Sequence, residues 1–232
     1  MRSYRNQGLL ATLCAAVALF LTFLNGSAAQ AQTKYRLPLA YVPYSITAWM
    51  DHWHTPYATN TNIRYDATVI PSTSPYYYGN NPRHRGTDFG VSSGTSVYAA
   101  ASGTVASVTT GCPATGNPSC GSNLGNHVWI QHADGWYTLY AHLSSVNVTN
   151  GQSITCVSGP GGTLVGLSGR SGSVTGPHLH FELRSSMSAS GTSRDPFAGS
   201  ESQATEYWYQ YALIPDPLHS GSNMHYPAAT CQ

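Results

Sequence analysis

A mostly β, antiparallel domain with long loops is the fold that this 232-residue sequence predicts. Three observations lead there. Only 8% of the residues are charged, against about 25% in an ordinary globular domain, so long solvated helices are disfavoured. Glycine (23), proline (14) and tyrosine (16) are abundant, a turn-rich composition that is too aromatic for a disordered chain. From Gly86 onward, short β-like runs recur between turn signals, and no stretch carries a capped helical period. The formal charge of +1 argues against nucleic acid as a partner, which calls for a basic face.

Taken in order, residues 1–31 read as a secretory signal peptide. Arg2 and Arg5 form a positive start, residues 8–24 are a nearly uncharged apolar run, and Ala29, Gln30 and Ala31 match a small-x-small cleavage site. The run is nearly long enough to span a bilayer, but that cleavage site and the missing basic stop-transfer flank favour a signal over an anchor. The mature chain is therefore expected to be free of the membrane, secreted or periplasmic, and monomeric. Of the five cysteines, Cys14 leaves with the signal and four remain in an oxidising compartment. Four allow three pairings. Cys112 and Cys120 bracket a Pro/Gly/Asn loop and are expected to close it, leaving Cys156 and Cys231 to pin the C-terminal tail.

Residues 32–80 are expected to be a loop-rich lead-in packed on the domain, with a few short strands. Residues 81–197 carry the regular pattern. SVYAAASGTVASV reads as two strands joined at Ser102 and Gly103. NHVWIQH and WYTLYAHL read as a hairpin turning at Asp134 and Gly135. SITCV, TLVGLSG and HLHFELR follow as further strands. Residues 198–232 are expected to be an irregular, disulfide-tethered extension with one short helix near residues 201–211. His132, beside the hairpin turn, is expected to be exposed, and His52 to lie at the surface or in aromatic packing.

Ten histidines against nine acids is an unusual balance, and two clusters have spacing that metal chemistry needs. In H-R-G-T-D, His84 and Asp88 would start about 13 Å apart on a straight strand, too far to share one ion. The segment must bend, and Gly86 bends at least cost. In H-L-H, His178 and His180 share one face of a strand with Cα atoms about 6.6 Å apart. One can ligate a cation while the other handles a proton beside it. Two nitrogens and a carboxylate with a fourth position open is the arrangement of catalytic zinc, and this donor set suits zinc better than Ca²⁺ or Mg²⁺. His52 and His54 repeat the spacing as a weaker candidate pair.

At these residues the chain resembles the lysostaphin-like (LytM-type) zinc endopeptidases. HRGTDFGVSSGTSVYAAASGTVASV, GNHVWIQHADGWYTLYAHLSSVNVTNGQ and VGLSGRSGSVTGPHLHFELR carry the resemblance, over about residues 84–184. It implies a small antiparallel β domain with a groove floored by one Zn²⁺ per chain, and hydrolysis of peptide bonds in peptidoglycan. Carried over, His84, Asp88 and His180 are the metal ligands, and His142 and His178 the catalytic pair. His178 is favoured as base and His142 as oxyanion stabiliser. Every motif position is filled, which argues against the family's inactive, amidase-activating members. Competing readings are a secreted protease for glycine-rich proteins and a non-catalytic wall-binding module. Glu182 lies on the face of His180 and could orient it, although a core-facing or surface carboxylate is the preferred reading. One of the tyrosines at residues 76–78 could add an oxyanion donor.

Overall fold

The structure, a computed structural model, describes residues 33–39, 44–52, 61–64, 67–74, 84–114, 116–157, 162–197 and 200. Thirteen strands run through the described residues: β1 (Ser45–Ala48), β2 (Thr61–Ile63), β3 (Val69–Pro71), β4 (Thr87–Gly90), β5 (Ser96–Tyr98), β6 (Gly103–Thr109), β7 (Asn126–Gln131), β8 (Tyr137–Leu143), β9 (Ser145–Val146), β10 (Ser153–Ile154), β11 (Leu164–Leu167), β12 (Leu179–Arg184) and β13 (Ser193–Arg194). No helix occurs among the described residues, so none there is long and apolar enough to cross a membrane. The expected helix near residues 201–211, the signal segment and the tail lie outside them.

The main sheet has the order β1-β4-β12-β8-β7-β6-β10, with β13 added to β12, and every pairing is antiparallel. β5, β11 and β9 form a second sheet, and β2 and β3 a hairpin. The expected β7–β8 hairpin is present and turns through Gly135 at φ 81°. The two strands read from SVYAAASGTVASV are present but do not pair. β5 joins the small sheet and β6 the large one, because the chain between them, Ala99 to Ser102, crosses from one layer to the other.

Alternation decides what each face of β12 does. Leu179, Phe181 and Leu183 enter the main core, which also takes Phe89, Val128, Ile130 and Tyr140 from the large sheet and Val97 and Val165 from the small one. The intervening His180, Glu182 and Arg184 point to the other face, where Trp129, Leu139 and Ala141 form a smaller cluster. Both faces of β12 are buried. One is apolar, and the other holds a row of ionisable groups.

The lead-in belongs to this architecture. Tyr35, Leu39, Ile46, Trp49 and Ile70 are buried in the main core, and β1 extends the large sheet beside β4. The Cys112–Cys120 disulfide closes the loop between β6 and β7 as expected. Cys156 is also disulfide-bonded, and its expected partner, Cys231, lies outside the described residues.

Candidate active site

Strand order brings the candidate ligands together. β12 lies between β4 and β8, in a register that sets His180 opposite Asp88 on one side and Ala141 on the other. Directly opposed antiparallel residues have Cβ atoms about 5 Å apart, so the Asp88 and His180 side chains meet by register alone, with His180 Nδ1 2.7 Å from Asp88 Oδ1. His84 enters from the segment just before β4. Its Nε2 lies 3.1 Å from Asp88 Oδ1 and 3.1 Å from His180 Nδ1. The chain does bend between His84 and Asp88. Gly86 takes no left-handed φ there, and its lack of a side chain serves close packing. A Cβ would stand 2.2 Å from the Phe181 carbonyl oxygen, so any larger residue pushes β4 off the strand that carries His180.

Hydrogen bonds on the outer nitrogens fix the histidine tautomers. His84 Nδ1–H donates to the Trp49 carbonyl at 2.8 Å. His180 Nε2–H donates to Glu182 Oε1 at 2.8 Å. His142 and His178 donate their Nδ1–H to the carbonyls of Ser171, at 2.8 Å, and Gly176, at 3.0 Å. A neutral imidazole has one N–H, so each ring turns a lone pair inward. The inward atoms of His84, Asp88 and His180 therefore converge as three acceptors, which requires a positive charge between them.

A zinc ion fits this arrangement. Zn–N bonds of about 2.0–2.1 Å in a tetrahedron put donor atoms about 3.3 Å apart, and the donor atoms here are 2.7 to 3.1 Å apart. Small outward movements accommodate the ion. No other group of three or more such ligands occurs among the described residues. His180 has the supporting carboxylate typical of metal-bound histidine, and Arg184 in turn donates to Glu182 Oε2 at 2.8 Å.

In the metal-free protein a proton fills the same role. Burial opposes charge on His180, but hydrogen bonds to Asp88 and Glu182, followed by their charges, push its pKa up to about 10. Burial would raise the Asp88 carboxyl, yet the charge of His84 and the hydrogen bond from His180 hold it well below the usual range. Glu182 is likewise lowered to about 2 by His180 and Arg184 against its own burial.

His142 is held differently. It lies in β8 at a bulge, where the register to β7 shifts, with a left-handed φ of 61°. That conformation costs an L-residue roughly 1–2 kcal/mol, and strain of this kind collects at functional sites. Two contacts hold it: the backbone N–H donates to the Leu124 carbonyl at 2.9 Å, and the ring is fixed on Ser171. Gly125 lets Ser171 approach, since a Cβ there would lie 2.3 Å from its Oγ. The His142 ring stands 4.7 Å from that of His178 and 5.7 Å from that of His180, centroid to centroid. Burial first, then the charges of His180 and His178, lower its pKa to about 3. His178 Nε2 faces Asp88 Oδ2 at 3.6 Å.

Residues 82–196 match peptidase family M23. This segment of the chain belongs to that family. Over 100 residues the chain is 42% identical to the peptidoglycan DD-endopeptidase ShyA of Vibrio cholerae, a stretch covering 43% of this chain and 20% of that one. Over 118 residues it is 35% identical to the DD-carboxypeptidase/endopeptidase Mpg of Neisseria meningitidis, covering 48% of this chain and 24% of that one. The chain thus spans about a fifth to a quarter of the length of these curated relatives. Among solved structures, the catalytic domain of the antimicrobial peptidase lysostaphin from Staphylococcus simulans is 34% identical, with 50% of this chain and 78% of that one covered at a TM-score of 0.41.

In this M23 domain all five residues singled out from the sequence, His84, Asp88, His142, His178 and His180, lie in one cluster. Glu182 supports His180 directly, contrary to the preferred expectation, because the two-residue period of β12 puts both on its non-core face. His132 is buried, not exposed: its Nδ1 reaches the Ser102 carbonyl at 2.8 Å and its Nε2 the Thr138 hydroxyl at 2.9 Å, so the residue after β7 turns inward. His52 is also buried, on Asp195 at 2.8 Å. His54 and the tyrosines at residues 76–78 lie outside the described residues. The carbonyls of Trp49, Ser171 and Gly176, which orient the M23 domain's histidines, have no residue-type signature.

Proposed function

We propose that the protein is a secreted, zinc-dependent endopeptidase that hydrolyses peptide bonds of peptidoglycan. The observation that carries this reading is the set of three inward lone pairs on His84, Asp88 and His180, each ring turned by a hydrogen bond on its far side. Membership of residues 82–196 in peptidase family M23 and the identity to relatives named as peptidoglycan endopeptidases support the substrate class. The sequence features of residues 1–31 support export, and action as a monomer fits a site assembled within one chain.

His84 and His180 through nitrogen and Asp88 through oxygen would hold one Zn²⁺. When bound, the ion supplies Lewis acidity, which raises the acidity of a water molecule and the electrophilicity of the scissile carbonyl. The sequence favours His178 as base, but the hydrogen bonds support the opposite allocation. His142 is kept neutral with Nε2 free to accept, so it takes the proton of the attacking water. It has no inward N–H with which to bind an oxyanion. His178, with Nε2 3.6 Å from Asp88 Oδ2, would serve the developing oxyanion and the leaving amine on the other side of the scissile bond.

The test joins metal analysis with digestion. Purified protein is expected to contain about one zinc per chain and to release new amino termini from peptidoglycan, identified by mass spectrometry. His180→Ala is expected to lose both. Full wall digestion by zinc-free protein would remove this function.

A further inference from the structure

The metal ligand His84 depends on chain that precedes the family-matched segment. Residues 49–52 run alongside it and hold it at two points. The Trp49 carbonyl takes the ring Nδ1–H at 2.8 Å, and the Asp51 N–H donates to the His84 carbonyl at 2.9 Å. One contact sets the ring's tautomer and direction, and the other the height of its backbone.

This strap is itself fastened by buried polar groups. Asp51 Oδ1 accepts the Ile63 N–H at 3.0 Å, and its Oδ2 lies 3.5 Å from the Asn62 amide, which ties the strap to the β2–β3 hairpin. The His52 N–H donates to the Ile63 carbonyl at 2.9 Å. The His52 ring meets Asp195 Oδ2 at 2.8 Å, while Asp195 Oδ1 accepts the Phe197 N–H at 3.0 Å. Trp49 packs edge-on to Phe197 at 5.1 Å, and the Arg64 guanidinium lies over its indole at 4.9 Å. Asp51, Asn62, Arg64 and Asp195 are 1 or 2% exposed. Burying so many polar groups is costly unless each is bonded, and the bonds among them fasten the segment whose backbone carbonyl and N–H meet His84.

We propose that residues 49–52 form the outer support of ligand His84, with Asp51 and the His52–Asp195 pair as positioning residues for metal binding. This rests on the zinc reading above. His180 has its support two residues away on its own strand, whereas His84 receives its support from a strap more than thirty residues upstream, outside residues 82–196.

The test is the zinc dissociation constant of the full chain, measured by competition with a chromophoric chelator, together with thermal unfolding of the metal-free protein. Asp51→Ala is expected to weaken zinc binding about 10–100-fold, as loss of outer-shell support does. Asp51→Asn keeps an oxygen for the Ile63 N–H and is expected to restore affinity. Should Asp51→Ala not fold, His52→Phe, which keeps bulk but cuts the tie to Asp195, is expected to weaken zinc about 10-fold. A purely structural role would lower the metal-free melting temperature and leave the zinc constant of the folded protein unchanged, which overturns the proposal. Wild-type chain that holds no zinc overturns the function reading along with it, whereas normal zinc in wild type and in these variants overturns only the strap.

Discussion

His180 and His142 stand on neighbouring strands with ring centroids 5.7 Å apart, and their surroundings drive them in opposite directions. His180 lies between two carboxylates and holds a proton up to about pH 10 when no metal is present. His142 is hydrogen-bonded only to backbone at its ring, through the Ser171 carbonyl, and stays neutral down to about pH 3. Burial opposes charge on both; two carboxylates overcome it at His180, while the charges of His180 and His178 add to it at His142. A site for a cation and a site for a proton acceptor can therefore sit side by side in one cluster of four histidines, each assigned by what touches its outer nitrogen.

The largest expected effect separates these two roles. His142→Ala is expected to lower kcat about 10²–10⁴-fold while the protein still binds one zinc. Asp88 and the two ligand imidazoles are untouched by that change, and alanine inherits the left-handed backbone of residue 142. His178→Ala is expected to lower kcat as well and, unlike His142→Ala, to lose least on an ester substrate whose leaving group needs no proton, because His178 serves the leaving amine. If the ester spares His142→Ala and not His178→Ala, the allocation of base and donor is reversed.

How far the sequence reveals this contrast depends on which atoms do the work. HLHFELR declares its strand through a two-residue period, and the same period sets His180 and Glu182 on one face. His84 and Asp88 are legible as ligands because the donors are side chains with distinctive spacing. The supports of His142 and His84 are peptide carbonyls of Ser171 and Trp49, and any residue type supplies a carbonyl. Only the folded chain brings Trp49 to His84 or the β11–β12 connection to His142. His132 departs from its expected exposure for a related reason. Proximity to a turn suggests exposure, but the Ser102 carbonyl and the Thr138 hydroxyl give this ring two inward partners. The left-handed backbone of His142 likewise follows from a register shift between two strands, which no local pattern announces.

A smaller effect is expected on removing one carboxylate from the His180 side of the comparison. Glu182→Gln keeps an oxygen that accepts the His180 Nε2–H but loses its charge and its ion pair with Arg184. Zinc affinity is expected to fall about 10–100-fold, read by chelator competition. An unchanged constant would mean that the hydrogen bond alone orients the ring and the charge contributes nothing.

The last effect is a pH dependence of the metal-free fold, and its sign differs for the two rings. His180 has a folded pKa above its unfolded value of about 6.5. Its contribution is complete below that pH and is lost as pH rises towards 10. His142 is lowered to about 3, and burial lowers His127 and His132 as well. The unfolded chain protonates these rings first, so stability falls as pH drops below about 6.5, by up to about 1.4 kcal/mol per pH unit for each ring. Asp88 and Glu182, both lowered, extend the loss below about pH 4.5. Urea unfolding of chelator-treated protein is thus expected to reveal a stability maximum near pH 6.5. Saturating zinc should abolish the decline on the alkaline side, since the ion replaces the proton on His180 Nδ1. A metal-free protein equally stable at pH 7 and pH 9 would contradict a protonated His180 and, with it, the claim that paired carboxylates set the two histidines apart.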